Sequence, residues 1–224
     1  MMTQMPGLGT LAMILCISSI PAIAALIWFR LKRWPFSWPR FAFSLLAGAT
    51  AVFPALLLQE IIPFGGRWAV LARAFTEELS RLPLLAILFF AFSRFRSAAQ
   101  HTVNEGNAFA QGIAGASGFV SGLGFALLET TVYGASNPFN ALLRILTTAP
   151  MHAACGFRVG SSIAQFKQSP ARASAQFLSA VVIHSAYNLM LEIPGSLPPI
   201  AAVLIALSAC ASAVQSIWID MKKQ

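Results

Sequence analysis

Glu77 and Glu78 stand side by side in a stretch, about 68–93, that otherwise reads as a membrane span and includes AVLARAFTEELSRLPLLAILFFAF. Carboxylates at that depth are costly and are seldom there for packing alone. Arg81 follows four residues after Glu77 and three after Glu78, so on a helix it can neutralise one of the two. Two carboxylates this close do not both stay charged in a low dielectric unless something pairs with them. One paired and one free glutamate is an arrangement suited to a general base. A buried ion pair that merely fixes helix register would account for one glutamate but not for two.

Three other apolar stretches carry polar groups. One holds Phe125-Ala-Leu-Leu-Glu129, the next Ala149-Pro150-Met151-His152, and a third His184-Ser-Ala-Tyr-Asn188. Taken singly, Glu129 reads as an interfacial glutamate reaching for water, and either histidine reads as a satisfied packing residue. Together they supply what peptide hydrolysis needs. A desolvated glutamate can activate a water, a histidine can share the proton work, and an asparagine can donate to the oxyanion. Asp220 is the only aspartate, which excludes a two-aspartate site, and no His-Glu-x-x-His zinc helix exists. Gly115-Ala-Ser117-Gly118 matches the rhomboid G-x-S-G, with His184 as a partner base, but Ser117 lies far from the outer polar layer.

These residues need elements to position them. The chain has 224 residues, 57% of them hydrophobic and 10% charged, where a soluble domain carries roughly 25% charged residues. The composition predicts an all-α, polytopic transmembrane helical bundle of about seven spans, forming a single integral membrane domain over 1–224 with a motif-bearing core at about 68–191. The spans fall at roughly 8–29, 41–62, 68–93, 107–133, 139–166, 173–191 and 197–219. Cys16, Cys155 and Cys210 lie in apolar runs and suggest no disulfide framework. The five glycines between Gly112 and Gly124 form a face that lets a neighbouring helix approach closely.

The net charge of +8 resides in short loops rather than in a patch, which argues against nucleic acid as a partner. Arg30, Lys32, Arg33 and Arg40 follow the first span, Arg94 and Arg96 the third, Lys167 and Arg172 the fifth, and Lys222 and Lys223 the last. The alternate loops hold only Arg67, with Arg73 just inside the third span. This bias predicts a multi-pass protein of the cell (inner) membrane with its N-terminus outside and its C-terminus cytoplasmic. The first span reads as a retained anchor rather than a cleaved signal. Trp34, Trp38 and Trp68 suit interfacial belts. The segment 94–106 reads as a cytoplasmic linker. Glu60, Glu105, Glu192 and Asp220 read as solvated charges. Counted from the outer ends, the glutamates and histidines of the four polar spans lie roughly 6–20 Å deep at 1.5 Å per residue, which allows one pocket in the outer half.

E-E-x-x-R at 77–81, F-x-x-x-E at 125–129, His152, and H-x-x-x-N at 184–188 resemble the PrsW family of intramembrane proteases. That family is similar to the wider CAAX-protease and bacteriocin-processing group. The resemblance covers about 70–190, four motifs in order on four spans. It implies an intramembrane peptide hydrolase in which Glu77 or Glu78 activates the water, His152 and Glu129 complete the acid/base set, and His184 and Asn188 line the oxyanion site. Arg81 and Thr130 depart from many PrsW-like sequences, which have Lys and Asn there; Glu129 points to the PrsW side. The implied partners are a membrane-anchored protein substrate and the lipid bilayer. The favoured reading requires no cofactor. Zinc remains an alternative, with Glu78, His152 and His184 as candidate ligands. Two other functions compete: a non-catalytic membrane scaffold or chaperone of the same fold, and a proton-coupled transporter with a Glu/His relay.

Overall fold

The computed structural model describes residues 7–34, 36–62, 65–94, 103–134 and 138–222. Among these residues the chain forms seven α-helices and no strand: α1 (Leu8–Leu31), α2 (Trp38–Ile61), α3 (Arg67–Arg94), α4 (Val103–Gly134), α5 (Pro138–Gln165), α6 (Pro170–Glu192) and α7 (Leu197–Lys222). The largest departure from the spans read in sequence is at α4, which begins at Val103 rather than 107. The linker expected over 94–106 falls mostly outside the described residues. So do the surroundings of Arg67, Arg94, Arg96, Glu105, Lys222 and Lys223. Prolines at the first positions of α2 and α6 suit helix starts, where the missing N–H would have no partner anyway.

Among the described residues, four helices, α1, α2, α4 and α7, are long and apolar enough to cross a membrane by themselves. The other three, α3, α5 and α6, are equally long, but they carry the polar residues Glu77, Glu78, Arg81, Arg144, His152 and His184. The apolar residues on the outside include Ile20, Ile23 and Ile27 of α1, Phe53 and Leu57 of α2, and Leu204 of α7, each more than half exposed. A surface this apolar is not that of a soluble monomer; it suits lipid. Trp38 and Trp68 are exposed, as a belt residue should be, whereas Trp34 is buried. Trp34 packs edge-on against Phe29, with ring centroids 5.2 Å apart, inside an aromatic cluster with Phe36 and Phe41. The aromatic neighbours at the α1–α2 junction bury it in protein instead of leaving it in the interface.

In the apolar stretch of α4, 78% of residues are buried, against 22% in α1 and α7, so α4 is the central helix. Its glycines set how closely its neighbours lie. A Cβ at Gly118 would collide with the Gly156 carbonyl of α5, and one at Gly122 with the His152 carbonyl. On the other side, a Cβ on Gly48 of α2 would meet the Ser121 carbonyl. Backbones in such contact fix the relative height of the helices. The seam between α4 and α5 therefore sets where His152 stands relative to Phe125 and Glu129. Helix α3 packs against α2, α5 and α6 and carries Glu77 and Glu78 between them.

Candidate active site

One turn of α3 divides the two adjacent glutamates. Glu78 is fully buried and forms an ion pair through Oε1 with Arg81, three residues on and equally buried. The same oxygen accepts from His184 Nδ1 at 2.8 Å, which ties α3 to α6. Arg81 also donates from Nη1 to the His152 carbonyl at 3.2 Å, tying α3 to α5. Its guanidinium lies over the Phe125 ring of α4, 4.8 Å from the centroid. Helices α3, α4 and α5 thus meet at one buried cation, whose charge is balanced by Glu78, and α6 joins them through His184 on that carboxylate.

Glu77 points elsewhere. Its side chain is 13% exposed. Its Oε1 accepts from Gln59 Nε2 of α2 at 3.2 Å. Its Oε2 is buried, has no hydrogen-bond partner among the described residues, and lies 3.5 Å from His184 Nε2. The Glu78 Oε2 atom is also without a partner among the described residues. Which glutamate Arg81 would take was open in the sequence, because both spacings suit a helix; packing against His152 and Phe125 sends the guanidinium to Glu78.

His152 and Glu129 form the second pair. Nε2 of His152 lies 2.8 Å from Glu129 Oε2, and Nδ1 lies 3.4 Å from Arg81 Nη2. A guanidinium only donates, so Nδ1 accepts and Nε2–H donates to the carboxylate. The His152 ring sits 4.8 Å from the Phe125 ring and 4.9 Å from the His184 ring, nearly perpendicular to the latter. Phe125 and Glu129, one turn apart on α4, therefore both serve His152: one walls it and one bonds it. Glu129 is not the interfacial charge its position near the helix end suggests.

Arg144 of α5 was not singled out in the sequence. It holds the other Glu129 oxygen at 2.7 Å and lies over the Tyr133 ring, 5.2 Å from the centroid. Its signal was an opposite charge near the start of α5, across the short connection from Glu129 near the end of α4. Gln59 gave no signal, being a lone amide beside Glu60 near a span end. Asn188 is half-buried one turn beyond His184 and has no hydrogen bond to this network among the described residues. Ser117 has no hydrogen bond to either histidine, also among the described residues, and the G-x-S-G match has no geometry behind it.

A narrow cleft between α2, α3 and α4 reaches the cluster. Gln59, Glu77, Phe125, Glu129 and Tyr133 line it, and it offers about 10 Å³ to water, roughly the room for one molecule. Two carboxylates thus face space for a single water.

The family model of PrsW family intramembrane metalloproteases matches residues 36–213, from just before α2 to well inside α7. The chain belongs to the PrsW family. All four PrsW-like motifs lie within the matched residues, and α1 lies outside them. No curated protein and no solved structure matches this PrsW chain. The family's description as metalloproteases calls for a test of the donors. Glu77, His152 and His184 each offer a ligand atom, all within 4.8 Å of one another. Two histidines and a glutamate make a donor set of catalytic zinc sites. Among the described residues, Glu77 Oε2 has no hydrogen-bond partner and lies 3.5 Å from His184 Nε2, so the two atoms form a pair of available donors. The residues therefore fit such an ion once His152 exchanges its bond to Glu129 or to Arg81 for the metal. The carboxylate in this group is Glu77, where the sequence reading had Glu78 as the candidate; Oε1 of Glu78 is shared by Arg81 and His184. In a PrsW metal site, Glu78 would instead orient His184 through Nδ1, as a carboxylate behind a ligating histidine does.

Proposed function

We propose that this PrsW-family protein is an endopeptidase that hydrolyses peptide bonds of membrane-anchored proteins. We place its site in the outer half of the bilayer, in one integral membrane domain with the N-terminus outside and the C-terminus cytoplasmic. The observation that carries the proposal is the single-water cleft faced by Glu77 and Glu129, with both histidines directly behind it.

In this account Glu77 Oε2 takes a proton from the water as its oxygen bonds to the scissile carbonyl carbon. The carbonyl π pair moves to the oxygen. His184, held at Nδ1 by Glu78, presents Nε2 beside the same carboxylate and shares the proton. The tetrahedral intermediate collapses when the C–N bond breaks and the amine nitrogen receives a proton. That proton is the one Glu77 and His184 took from the water, so Glu77 returns to its carboxylate; His152, whose Nε2–H is bonded to Glu129, holds that second carboxylate on the cleft. Asn188, on the same face of α6 as His184, is assigned to the rim of the oxyanion site. Arg81 is not free for that role, since Glu78 and the His152 carbonyl occupy it.

A zinc ion held by Glu77, His152 and His184 would polarise the water and the carbonyl as a Lewis acid. Glu77 would then be a ligand, and Glu129, the other carboxylate on the cleft, would accept the proton. The metal-free reading from sequence gave Asn188 a transition-state role and Arg81 a charge-pairing role; Arg81 forms an ion pair with Glu78, and Asn188 has no hydrogen bond to the network among the described residues.

The proposal is tested with Glu77→Ala and His184→Ala variants present at parental abundance and correctly folded. Both are expected to lose cleavage of membrane-anchored substrates. Parental cleavage by either variant contradicts the assignment.

A further inference from the structure

We propose that Gln59 is a positioning residue for Glu77: its amide holds one oxygen of the carboxylate and leaves the other directed at His184. The inference rests on the role given to Glu77 above, and it brings in α2, a helix that carries none of the motifs.

The two oxygens of Glu77 are not equivalent. Oε1 accepts from Gln59 Nε2 at 3.2 Å; Oε2 has no hydrogen-bond partner among the described residues and faces His184. The last torsion of a glutamate is broad, so a carboxylate without a fixed partner samples many orientations. A donor on one oxygen sets the plane of the group and hence where the other oxygen points. The Gln59 amide is itself oriented. Its Nε2 also lies 3.5 Å from Thr76 Oγ1, and the Thr76 hydroxyl proton goes to the Arg73 carbonyl at 2.9 Å. The threonine oxygen can therefore only receive from Gln59. With both amide hydrogens directed at neighbouring residues of α3, the side chain is fixed against that helix.

The residue type suits the task. A lysine or arginine at this position would pair with Glu77 and weaken it as a base, and an acid would repel it. An amide donates a hydrogen bond without adding charge. Gln59 also lines the same single-water cleft as Glu77 and Glu129, so the bond lies at the edge of the proposed reacting space. The simpler account is that a glutamine near a helix end bonds whatever polar group is nearest. On that account its shape matters and its donor does not.

The test compares newly formed protein ends in membrane proteomes of cells carrying the parent, Gln59→Met, Gln59→Ala or Glu77→Gln, with abundance and melting of each variant measured alongside. Gln59→Met keeps length and volume but removes the donor. Both Gln59 variants are expected to lose cleavage about tenfold or more, to a similar extent and without a change in melting, as small misplacements of catalytic groups do. Assayed on a fragment identified in this way, the loss should fall on kcat and leave KM unchanged. Parental cleavage by Gln59→Met overturns the inference, whether or not Gln59→Ala is impaired. If Glu77→Gln itself cleaves like the parent, the role of Glu77 falls and this inference falls with it. If Glu77→Gln is silent while Gln59→Met is active, only the role of Gln59 is lost.

Discussion

Arg81 of α3 donates from Nη1 to the backbone carbonyl of His152 on α5, 3.2 Å away. With Nη2 on the Glu78 carboxylate and the guanidinium over Phe125, one side chain joins α3, α4 and α5 at the level of the cluster. This is a structural role: a buried cation that is fully engaged cannot also meet a substrate.

Removing that cation leaves the buried Glu78 carboxylate without its charge partner. Arg81→Met is expected to cost about 3–5 kcal/mol, the usual penalty for breaking a buried pair from one side. Arg81→Met combined with Glu78→Gln should recover part of the loss. Thermal or detergent unfolding measures both. A single variant as stable as the parent would mean the pair is not buried as described.

The α4–α5 seam makes a separate prediction. A methyl at Gly122 meets the His152 carbonyl, so Gly122→Ala must push the helices apart and move His152 away from Glu129. The expected cost is about 1–3 kcal/mol, with cleavage lost at temperatures where the protein remains folded. Gly9→Ala, where nothing lies within 4 Å, is the neutral control. Melting and cleavage measured on both variants decide it.

Arg144 separates activity from stability. Its side chain is 28% exposed, so Arg144→Ala should change stability by less than about 1 kcal/mol. It should nevertheless lower cleavage several-fold, because Glu129 is then oriented by His152 alone. Equal activity of parent and variant, assayed on the same membranes, would show that Glu129 needs no second partner.

Zinc binding tests the donor set independently of activity. Purified protein is expected to bind one zinc per chain in a calorimetric titration. Binding should be lost in Glu77→Ala and His184→Ala and kept in Asn188→Ala. Binding unaffected by Glu77, or none at all, contradicts the Glu77/His152/His184 assignment.

The seven helices were legible because composition leaves few alternatives for long apolar runs, and the polar residues at matched depth announced a cluster. Three features were not legible. Spacing allowed Arg81 to take either glutamate, and only the packing of Phe125 and His152 decides for Glu78. Glu129 looked interfacial because sequence shows depth but not direction, and direction is what carries it to His152. Gln59 lies on a helix with no motif, and its contact with Glu77 exists only once α2 lies against α3. Trp34 failed for a related reason: its position near a span end was correct, but its aromatic neighbours fold over it.

The central claim is that Glu77 serves proteolysis within the membrane. The most direct measurement compares the membrane proteomes of cells carrying the parent and the Glu77→Gln variant, scored for new ends in single-span proteins. The account predicts fragments that appear only with the parent, which would also identify the substrate. Identical fragment patterns, with both proteins folded and equally abundant, would contradict it.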